Sequence, residues 1–481
     1  MRLHLLLPLI TVFRVAAMTT KPPGIQQALG PKLSSQASIA LSSSAAPRWS
    51  DYEAPRAQIV VSVFTEHDVV ETVKYCNDHK LEFLAQTSGH GWANTWSLQS
   101  KDVIINLRGL NTVKVDKAKM TATIGGGAII KEIVDEVYKH EMHVVAGGCN
   151  CVSTGFMLGG GVGRLMGEYG LAIDNLVSVN LVTAEGDLIT VTNKEPCEDL
   201  WWALKGAGHN FGVVTSYVVK THPWINGGIH WTGNLVFTGD QVEAVTSAIN
   251  DLVLQKPMSI HYYFVVDPSS GQPVIIVNPF YAGKLEDARK AFKPLIDLHP
   301  IADTTSTIPW DDLNTSADFF CEKGGRKPAY TAALKKMDPK AFKNIWDAYV
   351  AFIQKHGVEN VGQGALLVEC YSYVTARTIE RSSTAYPHRD VNFLAVMLGW
   401  YNNPTLDAAA EELGSYAREQ WRHTSGLPQE HAYINFGRGD ESLEAIYGES
   451  WRVEKLSNIK KKWDPKERFG QYFPIPVKGH Y

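Results

Sequence analysis

A histidine in a glycine turn and a pair of cysteines ahead of a glycine-rich run are the residues of this chain best suited to chemistry. The histidine lies in Thr87–Trp92, which reads TSGHGW, and the cysteines are Cys149 and Cys151 in the stretch GGCNC. Glycine permits positive φ and a close approach of the backbone to a ligand. Consecutive exposed N–H groups in such turns bind anions. Two nucleophiles beside a phosphate-binding turn indicate a flavin nucleotide attached to the protein, and hence a redox enzyme.

Two further glycine-rich segments follow in the same part of the chain. Gly159–Gly163 reads GGGVG, and Gly206–Val214 reads GAGHNFGVV and leads into an apolar, β-branched run. Glycine is the residue used where backbone must pass close to another group. Three glycine-rich turns in one lobe exceed what hairpin connections require, so we expect them to contribute to one binding site.

Several common sites are not supported by the spacing. No GxGxxG opens a helix after a strand, so a Rossmann nicotinamide site is not predicted, and the GxxxxGK[ST] phosphate loop is also missing. His140 and His143 lack the HExxH spacing that places both imidazoles on one zinc ion. The CxC of Cys149–Cys151 has no second cysteine pair, which argues against structural zinc.

The composition is that of an ordinary globular protein and is large enough for two lobes. The 481 residues are 44% hydrophobic and 20% charged, with a formal net charge of −4. Single domains usually have about 100–250 residues. The only short basic block, Lys460–Lys462, is expected to be a solvated helix face, so nucleic acid is not an expected partner.

The amino terminus resembles a secretory signal. A basic start is followed by the apolar stretch Leu3–Phe13 and by small residues, which predicts a signal peptide over residues 1–17; a poorly ordered leader is the alternative. The stretch is too short for a membrane span, which needs about 20 residues. Residues 18–49 are rich in Ser, Ala and Pro and are expected to be a flexible linker. We therefore expect a secreted protein, with a glycosylation sequon at Asn314.

The remaining chain divides into three segments with different patterns. Residues 50–225 alternate short apolar strands with amphipathic helices, up to a boundary at Pro223 and Gly227–Gly228. Residues 226–425 alternate longer strands with helices, which predicts an antiparallel sheet covered by helices on one face. Residues 426–481 carry their own aromatic pattern and are expected to return to the first lobe. The predicted fold class is α+β, with two lobes.

In their order along the chain, these motifs resemble the FAD-linked oxidases of the berberine-bridge-enzyme group. That group belongs to the vanillyl-alcohol-oxidase superfamily, whose FAD-binding domain is of the PCMH type. The similarity covers residues 50–225 and 430–476 and includes Asp199–Gly206, which reads DLWWALKG, and the YIN of Tyr433–Asn435. The chain is most similar to the fungal members that serve secondary metabolism.

The resemblance implies a cofactor, a tether and a base. His90 stands where the family joins the flavin's 8α-methyl group, and Tyr433 stands where the family has its tyrosine base. Cys149 lies nearest the family's second attachment point, but the segment from Cys149 to Gly159 is one residue shorter than in doubly tethered members. A second link and a pair of buried, inert thiols therefore remain alternatives. The other implied FAD-binding residues are Thr87, Ser88, Gly89, Gly91, Gly155, Gly159, Gly160, Gly161, Gly163, Asn210, Gly212, Val213, Val214 and Asn435.

The expected activity is that of an FAD-dependent oxidase. It would transfer a hydride from a small organic substrate, a secondary-metabolite alcohol, phenol or amine, to covalently bound FAD, which molecular oxygen reoxidises. An oxidative cyclase, a carbohydrate oxidase and a non-catalytic flavin-binding protein are the alternatives. Aromatic side chains at strand spacing are more often core than pocket. In the second lobe, the candidates for either role are Trp231, His261, Tyr263, Phe280, Tyr371, Tyr373 and Trp400.

Overall fold

The computed structural model describes residues 24–477. The chain folds into two lobes, each with its own apolar core. The strands of the first lobe are β1 (Ser38–Ala40), β2 (Ile59–Ser62), β3 (Phe83–Gln86), β4 (Val103–Asn106), β5 (Val113–Asp116), β6 (Thr121–Gly125), β7 (Met142–His143), β8 (Leu176–Val182), β9 (Leu188–Val191), β10 (Val213–Lys220) and β11 (His222–Pro223). Those of the second lobe are β12 (Ile229–Thr232), β13 (Leu235–Phe237), β14 (Met258–Val266), β15 (Pro273–Tyr281), β16 (Ala302–Asp303), β17 (Ser306–Pro309), β18 (Ala329–Leu334), β19 (Ala365–Tyr371) and β20 (Phe393–Leu398).

The helices are distributed over both lobes and the carboxy-terminal segment. They are α1 (Ile25–Ala28), α2 (Glu66–Asp78), α3 (Ile130–Lys139), α4 (Gly155–Leu158), α5 (Met166–Tyr169), α6 (Glu198–Ala207), α7 (Val242–Asp251), α8 (Leu285–Ala291), α9 (Lys293–Ile296), α10 (Pro339–His356), α11 (Val358–Val361), α12 (Asp407–Thr424), α13 (Leu443–Tyr447) and α14 (Ser450–Trp463). Among residues 24–477, none of the helices combines the length and the apolarity that crossing a bilayer requires.

The first lobe contains two sheets that deliver the glycine turns. In the smaller sheet the order is β1-β2-β4-β3, with β2 and β3 parallel to β4. Helix α2 connects β2 to β3 and begins with the capping box that Thr65 and Asp68 predict. The larger sheet is antiparallel, in the order β5-β6-β10-β8-β9. The histidine turn follows β3, and Gly206–Val214 leads into β10.

The segment that precedes β2 is folded against the first lobe. The prediction of a flexible linker is wrong for residues 24–49, because β1 pairs antiparallel with β2, while Leu29 and Trp49 are buried. Leu29 belongs to the same apolar cluster as Val61 and Phe83 of the lobe, and Ile25, Leu33 and Ile39 pack against that cluster. The Ser/Ala/Pro-rich composition does not indicate these contacts. The predicted signal peptide, residues 1–17, lies outside the described residues.

The second lobe has the predicted antiparallel sheet with helices on one face. Its strands follow the order β16-β13-β15-β14-β19-β20-β18, with β12 paired to β15 and β17. Alternate residues of a strand point to opposite faces. In β14, Tyr262 and Phe264 pack under α7, α10 and α12, whereas His261 and Tyr263 point to the other face. This second face is the one that meets the first lobe.

The carboxy-terminal segment packs on the first lobe through a buried ion pair. The expectation of a solvated face is wrong for Lys460, which is fully buried together with Asp464. Its ammonium group donates to Asp464 Oδ2 at 2.7 Å and to the carbonyl oxygens of Asn210 at 2.7 Å and Phe469 at 3.2 Å. The basic run therefore includes one lysine that joins α14 to the glycine turn Gly206–Val214.

We expect Lys460→Met to lower the free energy of unfolding by about 3–5 kcal/mol, because it leaves a buried carboxylate without its cation. Urea unfolding followed by tryptophan fluorescence measures this change. The matched control is Lys461→Met, at the exposed neighbour in the same helix, for which a change within about 0.5 kcal/mol is expected. Equal effects of the two substitutions would contradict a specific role for the buried pair.

Candidate active site

A cavity of about 340 Å³ lies where the two lobes and the carboxy-terminal segment meet. This volume is in the range of small-molecule and cofactor sites, roughly 300–1,000 Å³. The first lobe contributes the histidine turn, the loop at residues 147–156 and residues 212–214, while the second lobe contributes the face of β14, β19 and β20 that is free of helices. Tyr433, Asn435 and Phe436 complete the wall.

Eleven of the residues predicted from the sequence line this cavity. They are Thr87, Gly89, His90, Gly91, Cys149, Gly155, Gly212, Val213, Val214, Tyr433 and Asn435. Ser88 and Asn210 are buried but do not line it. The amide of Asn210 instead binds the hydroxyl of Tyr447 and the carbonyl oxygen of Phe473, so it fixes the carboxy-terminal segment.

The glycines of the GGGVG run serve protein packing. None of Gly159, Gly160, Gly161 and Gly163 lines this cavity, so their contact with the cofactor stays a prediction. A Cβ at Gly159 would collide with Asn435, and one at Gly160 would collide with the ring of Tyr386. These glycines therefore let residues from the rest of the chain, including the segment that carries Asn435, approach the backbone of the run.

The histidine turn requires glycine on both sides of its imidazole. Gly89 has φ +73° and Gly91 has φ +123°, values that other residues rarely adopt. The ring of His90 packs on Trp49, with 4.6 Å between ring centroids. Burial, reinforced by Lys327 and other nearby cations, lowers the pKa of His90 to about 3. The imidazole is therefore neutral at pH 7, the form with a free nitrogen lone pair.

The cavity has room and unpaired polar atoms for a large cofactor. Gly91 and Gly155 line it and have nothing within 4 Å of the point where a Cβ would stand. Arg48 Nε and His209 Nδ1 are buried and have no hydrogen-bond partner among the described residues. Because buried polar groups in proteins are normally hydrogen-bonded, open space and unpaired nitrogens fit a ligand that carries polar groups, as FAD does.

Three N–H groups point at the hydroxyl of Tyr433. The backbone N–H groups of Gly161 and Val162 lie 3.2 and 3.3 Å from its Oη, and Asn435 Nδ2 lies 2.6 Å away. Asn435 Nδ2 also donates to the carbonyl oxygen of Phe156, which can only accept, so the amide orientation is fixed. Burial raises the pKa of Tyr433 above its usual value, and the three donors act in the opposite direction.

The number of donors matters because a neutral phenol has two lone pairs and a phenolate has three. With three N–H groups converging on Oη, the arrangement matches the deprotonated oxygen better than the hydroxyl. Donors that favour a charged form lower the free energy of reaching it. The site can therefore form a phenolate transiently at Tyr433 by loss of the hydroxyl proton, although burial disfavours it at rest, and this phenolate is the form that accepts a proton.

The second lobe adds a carboxyl group that sequence reasoning missed. Glu369 lines the cavity from β19, in register with His261 of β14. Tyr371 Oη donates to Glu369 Oε2 at 3.0 Å and lies 3.1 Å from His261 Nε2. Burial raises the pKa of Glu369 to about 7, opposed by Tyr371 and Arg164. The available signal was a single acidic residue in an otherwise apolar strand, ALLVECY.

The hydrogen bonds also assign the tautomer of His261. Arg164 Nη2 can only donate and lies 3.0 Å from His261 Nδ1, so Nδ1 is the acceptor. His261 Nε2 then carries the proton and donates to Tyr371. Of the seven aromatic candidates, His261 and Tyr263 line the cavity. Those buried without lining it are Trp231, Phe280, Tyr371, Tyr373 and Trp400.

Of the two cysteines, only Cys151 takes part in a disulfide bond. Cys151 is bonded to Cys321, 170 residues away, so the alternative of two inert free thiols is wrong for Cys151. Cys149 is free and lines the cavity, with its Sγ 3.5 Å from that of Cys151. Cys151 Sγ in turn lies 3.7 Å from His90 Nδ1. Both reactive residue types predicted from the sequence are thus at one end of the cavity.

The predicted glycosylation site does not fit this structure. The side chain of Asn314 is buried, and its Nδ2 donates to the carbonyl oxygen of Gly147 at 3.1 Å. A glycan on Nδ2 would need that nitrogen at the surface. This burial argues against a glycan on Asn314 in the folded chain, and glycosylation at this position stays a prediction.

Comparisons with known proteins agree with this geometry. Residues 57–192 match a family described as FAD binding domain, and residues 432–476 match one described as berberine and berberine like. An FAD-linked oxidoreductase of Penicillium roqueforti, anuG, is 33% identical over 94% of this chain and 92% of its own length. Another from Penicillium rubens, chyH, is 35% identical over 89% of this chain and 88% of its own.

Solved structures show the same fold. Physcomitrella patens BBE-like 1 has a TM-score of 0.83 at 20% identity and covers 95% of this chain and 100% of its own. The 6-hydroxy-D-nicotine oxidase of Arthrobacter nicotinovorans has a TM-score of 0.78 at 22% identity and covers 92% of this chain and 99% of its own. The two-lobed, PCMH-type α+β architecture is thereby confirmed.

Proposed function

This chain belongs to the berberine-bridge-enzyme-like FAD-linked oxidoreductases, and from that premise we propose that it is an oxygen-dependent oxidase whose FAD is held covalently through His90. The observation that carries the proposal is one cavity in which a neutral imidazole, a tyrosine with three N–H donors and a carboxyl with a raised pKa come together. When bound, FAD accepts the hydride and passes the electrons on to oxygen.

The first lobe holds the cofactor in this proposal. The neutral His90 provides the nitrogen for attachment, and the backbone of Gly89 and Gly91 provides N–H groups without side chains in the way. Gly155 and residues 212–214 form the apolar part of the wall. Cys149 also lines the cavity, but burial raises the pKa of its thiol to about 11 and leaves little nucleophilic thiolate at pH 7, so we assign the attachment to His90 alone.

Tyr433 is the proposed base that removes the proton from the substrate's O–H or N–H group. Only the phenolate of Tyr433 can accept this proton, and the N–H groups of Gly161, Val162 and Asn435 stabilise its negative charge at Oη. They are rigid, because two belong to the backbone and the third is fixed by Phe156. Tyr433 first releases its hydroxyl proton to the solvent, and the substrate's proton then moves to the phenolate Oη as the hydride leaves the adjacent carbon.

The lining of the second lobe supports a small, largely apolar substrate. Phe320, Leu367, Val396 and Leu398 line the cavity together with three polar side chains, those of His261, Tyr263 and Glu369. The four apolar side chains offer no hydrogen bonds, and the three polar ones are few for the many hydroxyl groups of a sugar. We therefore propose an aromatic or aliphatic alcohol, phenol or amine of secondary metabolism rather than a carbohydrate.

Peroxide release tests the oxidase proposal. Purified protein is supplied with a panel of aromatic alcohols, phenols and amines in air, and hydrogen peroxide is measured together with oxygen uptake. The account predicts turnover with at least one member of the panel and one peroxide per oxygen consumed. A yellow protein whose flavin no panel member reduces would favour the non-catalytic alternative.

The carboxyl of Glu369 is expected to impose a pH limb on kcat/KM. Its pKa is about 7, so the carboxylate form increases as pH rises through 7. If the carboxylate binds the substrate's O–H or N–H group, kcat/KM rises about tenfold per pH unit below 7 and levels off above it. Glu369→Gln should remove this limb and lower the plateau about 10- to 100-fold. Persistence of the limb in that variant would assign it to another group.

Tyr371→Phe provides a matched control for the same limb. Tyr371 donates a hydrogen bond to Glu369 Oε2 and thereby stabilises the carboxylate. Without this donor the pKa of Glu369 rises further, so the limb should move to higher pH without disappearing. A purely structural role of Tyr371 would lower activity at every pH and leave the midpoint in place.

We also propose secretion, for which the apolar amino terminus and the disulfide give support. Disulfides persist mainly in oxidising compartments, and Cys151–Cys321 is one. Detection of the protein in the culture medium, with a mass that shows loss of the first 17 or so residues, tests this. Retention in the cell at full length would contradict it.

A further inference from the structure

A short segment of the second lobe forms part of the cavity wall, and we name residues 314–321 the strap. It contains the 3₁₀ segment Thr315–Cys321, and Ala317 and Phe320 line the cavity. Phe320 also packs on Trp400 of the second lobe, with 6.3 Å between centroids. The position of the strap therefore shapes the cavity directly.

The strap is tied to the loop at residues 147–151 of the first lobe. Asn150 Nδ2 donates to Asp318 Oδ1 at 2.8 Å, and Asn314 Nδ2 donates to the carbonyl oxygen of Gly147. The covalent tie is the disulfide Cys151–Cys321. A loop that belongs to the cofactor lobe thus fixes a segment that belongs to the substrate lobe.

A third sulfur lies against this disulfide. Cys149 Sγ is 3.5 Å from Cys151 Sγ and 4.0 Å from Cys321 Sγ, and no disulfide uses it. A free thiol in contact with both sulfurs of a disulfide is the arrangement from which thiol–disulfide exchange begins. Because the two distances are similar, Cys149 Sγ lies beside the S–S bond, and reaction requires a rotation about its Cα–Cβ bond.

We propose that the covalent tie of the strap exchanges between Cys151 and Cys149, which makes Cys151 a latent thiol site beside His90. Cys149 loses its proton and attacks Cys321 Sγ. The Cys149–Cys321 bond forms as the Cys151–Cys321 bond breaks, and Cys151 leaves as a thiolate that takes up the proton. One disulfide and one thiol are present before and after, so no oxidant or reductant is consumed.

The surroundings indicate which sulfur leaves. Cys151 Sγ lies 3.7 Å from His90 Nδ1, and the charges acting on His90 are those of Lys327, Arg48 and Lys323. Cations stabilise a thiolate, and the thiol with the lower pKa is the better leaving group. The attack is therefore directed at Cys321, with Cys151 as the leaving thiolate.

The surroundings also set the rate. Burial raises the pKa of Cys149 to about 11, and the carboxylates of Asp318 and Glu369 act in the same direction, while the backbone N–H of Cys151 opposes them. Tyr263 also faces Cys149. The thiolate fraction of Cys149 is thus small at pH 7 and rises about tenfold per pH unit. The exchange is slow at neutral pH and faster in alkali, and it involves protein sulfurs alone, so it does not depend on the proposed tether at His90.

Disulfide mapping of the full-length, flavin-loaded protein tests the exchange. Samples incubated without reductant at about pH 7, 8 and 9 are quenched with acid, digested with pepsin at acid pH to stop further exchange, and labelled with N-ethylmaleimide at slightly acidic pH. We expect Cys321 to be found linked to both Cys149 and Cys151, with labelled Cys151 appearing about tenfold faster per pH unit. Linkage of Cys321 to Cys151 alone at every pH would overturn the proposal.

Two serine variants separate exchange from mere proximity. Cys151→Ser, treated with oxidised glutathione as the two-electron oxidant, should form the Cys149–Cys321 disulfide, whereas Cys149→Ser, the matched control, should keep Cys151–Cys321 and show no labelled Cys151 at any pH. If Cys151→Ser leaves Cys149 and Cys321 both labelled, Cys149 is not competent to take over the tie. Should that variant fail to fold, the wild-type mapping decides the question alone.

Discussion

Replacement of His90 by alanine is expected to make the flavin fully extractable by acid and to lower kcat/KM about 10- to 100-fold. The imidazole of His90 lies between the two positive-φ glycines of the turn and packs on Trp49. Loss of the attachment frees the cofactor to shift, and a misplacement of about 1 Å can cost about 100-fold in rate. Absorbance of the acid supernatant and steady-state kinetics measure the two effects.

His209→Ala is the matched control for this prediction. His209 also lines the cavity, with Nε2 bonded to the carbonyl oxygen of Gly155 and Nδ1 unpartnered among the described residues. We expect this variant to keep its flavin through acid precipitation. If His90→Ala protein also stays yellow after acid treatment, the attachment lies elsewhere and Cys149 becomes the first candidate.

Tyr433→Phe is expected to slow flavin reduction by substrate about 10²- to 10⁴-fold, the usual contribution of a positioned proton acceptor. The substitution removes Oη and leaves the N–H groups of Gly161, Val162 and Asn435 without their acceptor. Stopped-flow measurement without oxygen isolates this step, because the reoxidation of the flavin cannot then limit the rate.

Tyr472→Phe is the control for the missing hydroxyl. Tyr472 lines the same cavity, but its Oη donates to the carbonyl oxygen of Ile434, and no N–H group of residues 24–477 is found to donate to it. We expect a change of less than about tenfold in the reduction rate for this variant. Equal losses in the two variants would show that packing, and not proton transfer, explains the effect at Tyr433.

The histidine turn was readable from the sequence because its chemistry is local. Glycines on both sides of His90 adopt positive φ, and β3 delivers the turn directly. The alternation of longer strands with helices over residues 226–425 likewise predicted a sheet with one covered face, and Tyr262 and Phe264 of β14 fill that face. Such patterns indicate local structure without any contact from elsewhere in the chain.

Features that depend on distant partners were not readable. The run from Gly159 to Gly163 has the composition of a ligand-binding turn, yet its open faces are filled by Asn435 and Tyr386, more than 200 residues later. The partner of Cys151 is equally remote. A glycine-rich run indicates a close approach but does not identify what approaches.

Glu369 shows a different limit of sequence reasoning. A lone carboxyl in an apolar strand reads as an edge or surface position, because Glu is rarely buried without a partner. Here the strand is central, and Tyr371 on the same face supplies the hydrogen bond. Glu369 could be recognised as a candidate functional group only from the register of β14 and β19, which places it opposite His261.

The central claim is a covalent bond between the cofactor and His90, and it is tested most directly on the wild-type protein. The purified protein is precipitated with acid, the pellet is dissolved and scanned for flavin absorbance, and its peptides are examined by mass spectrometry. The account predicts a yellow pellet and a flavin-modified peptide that contains His90. A colourless pellet, with all the flavin in the supernatant, would contradict it.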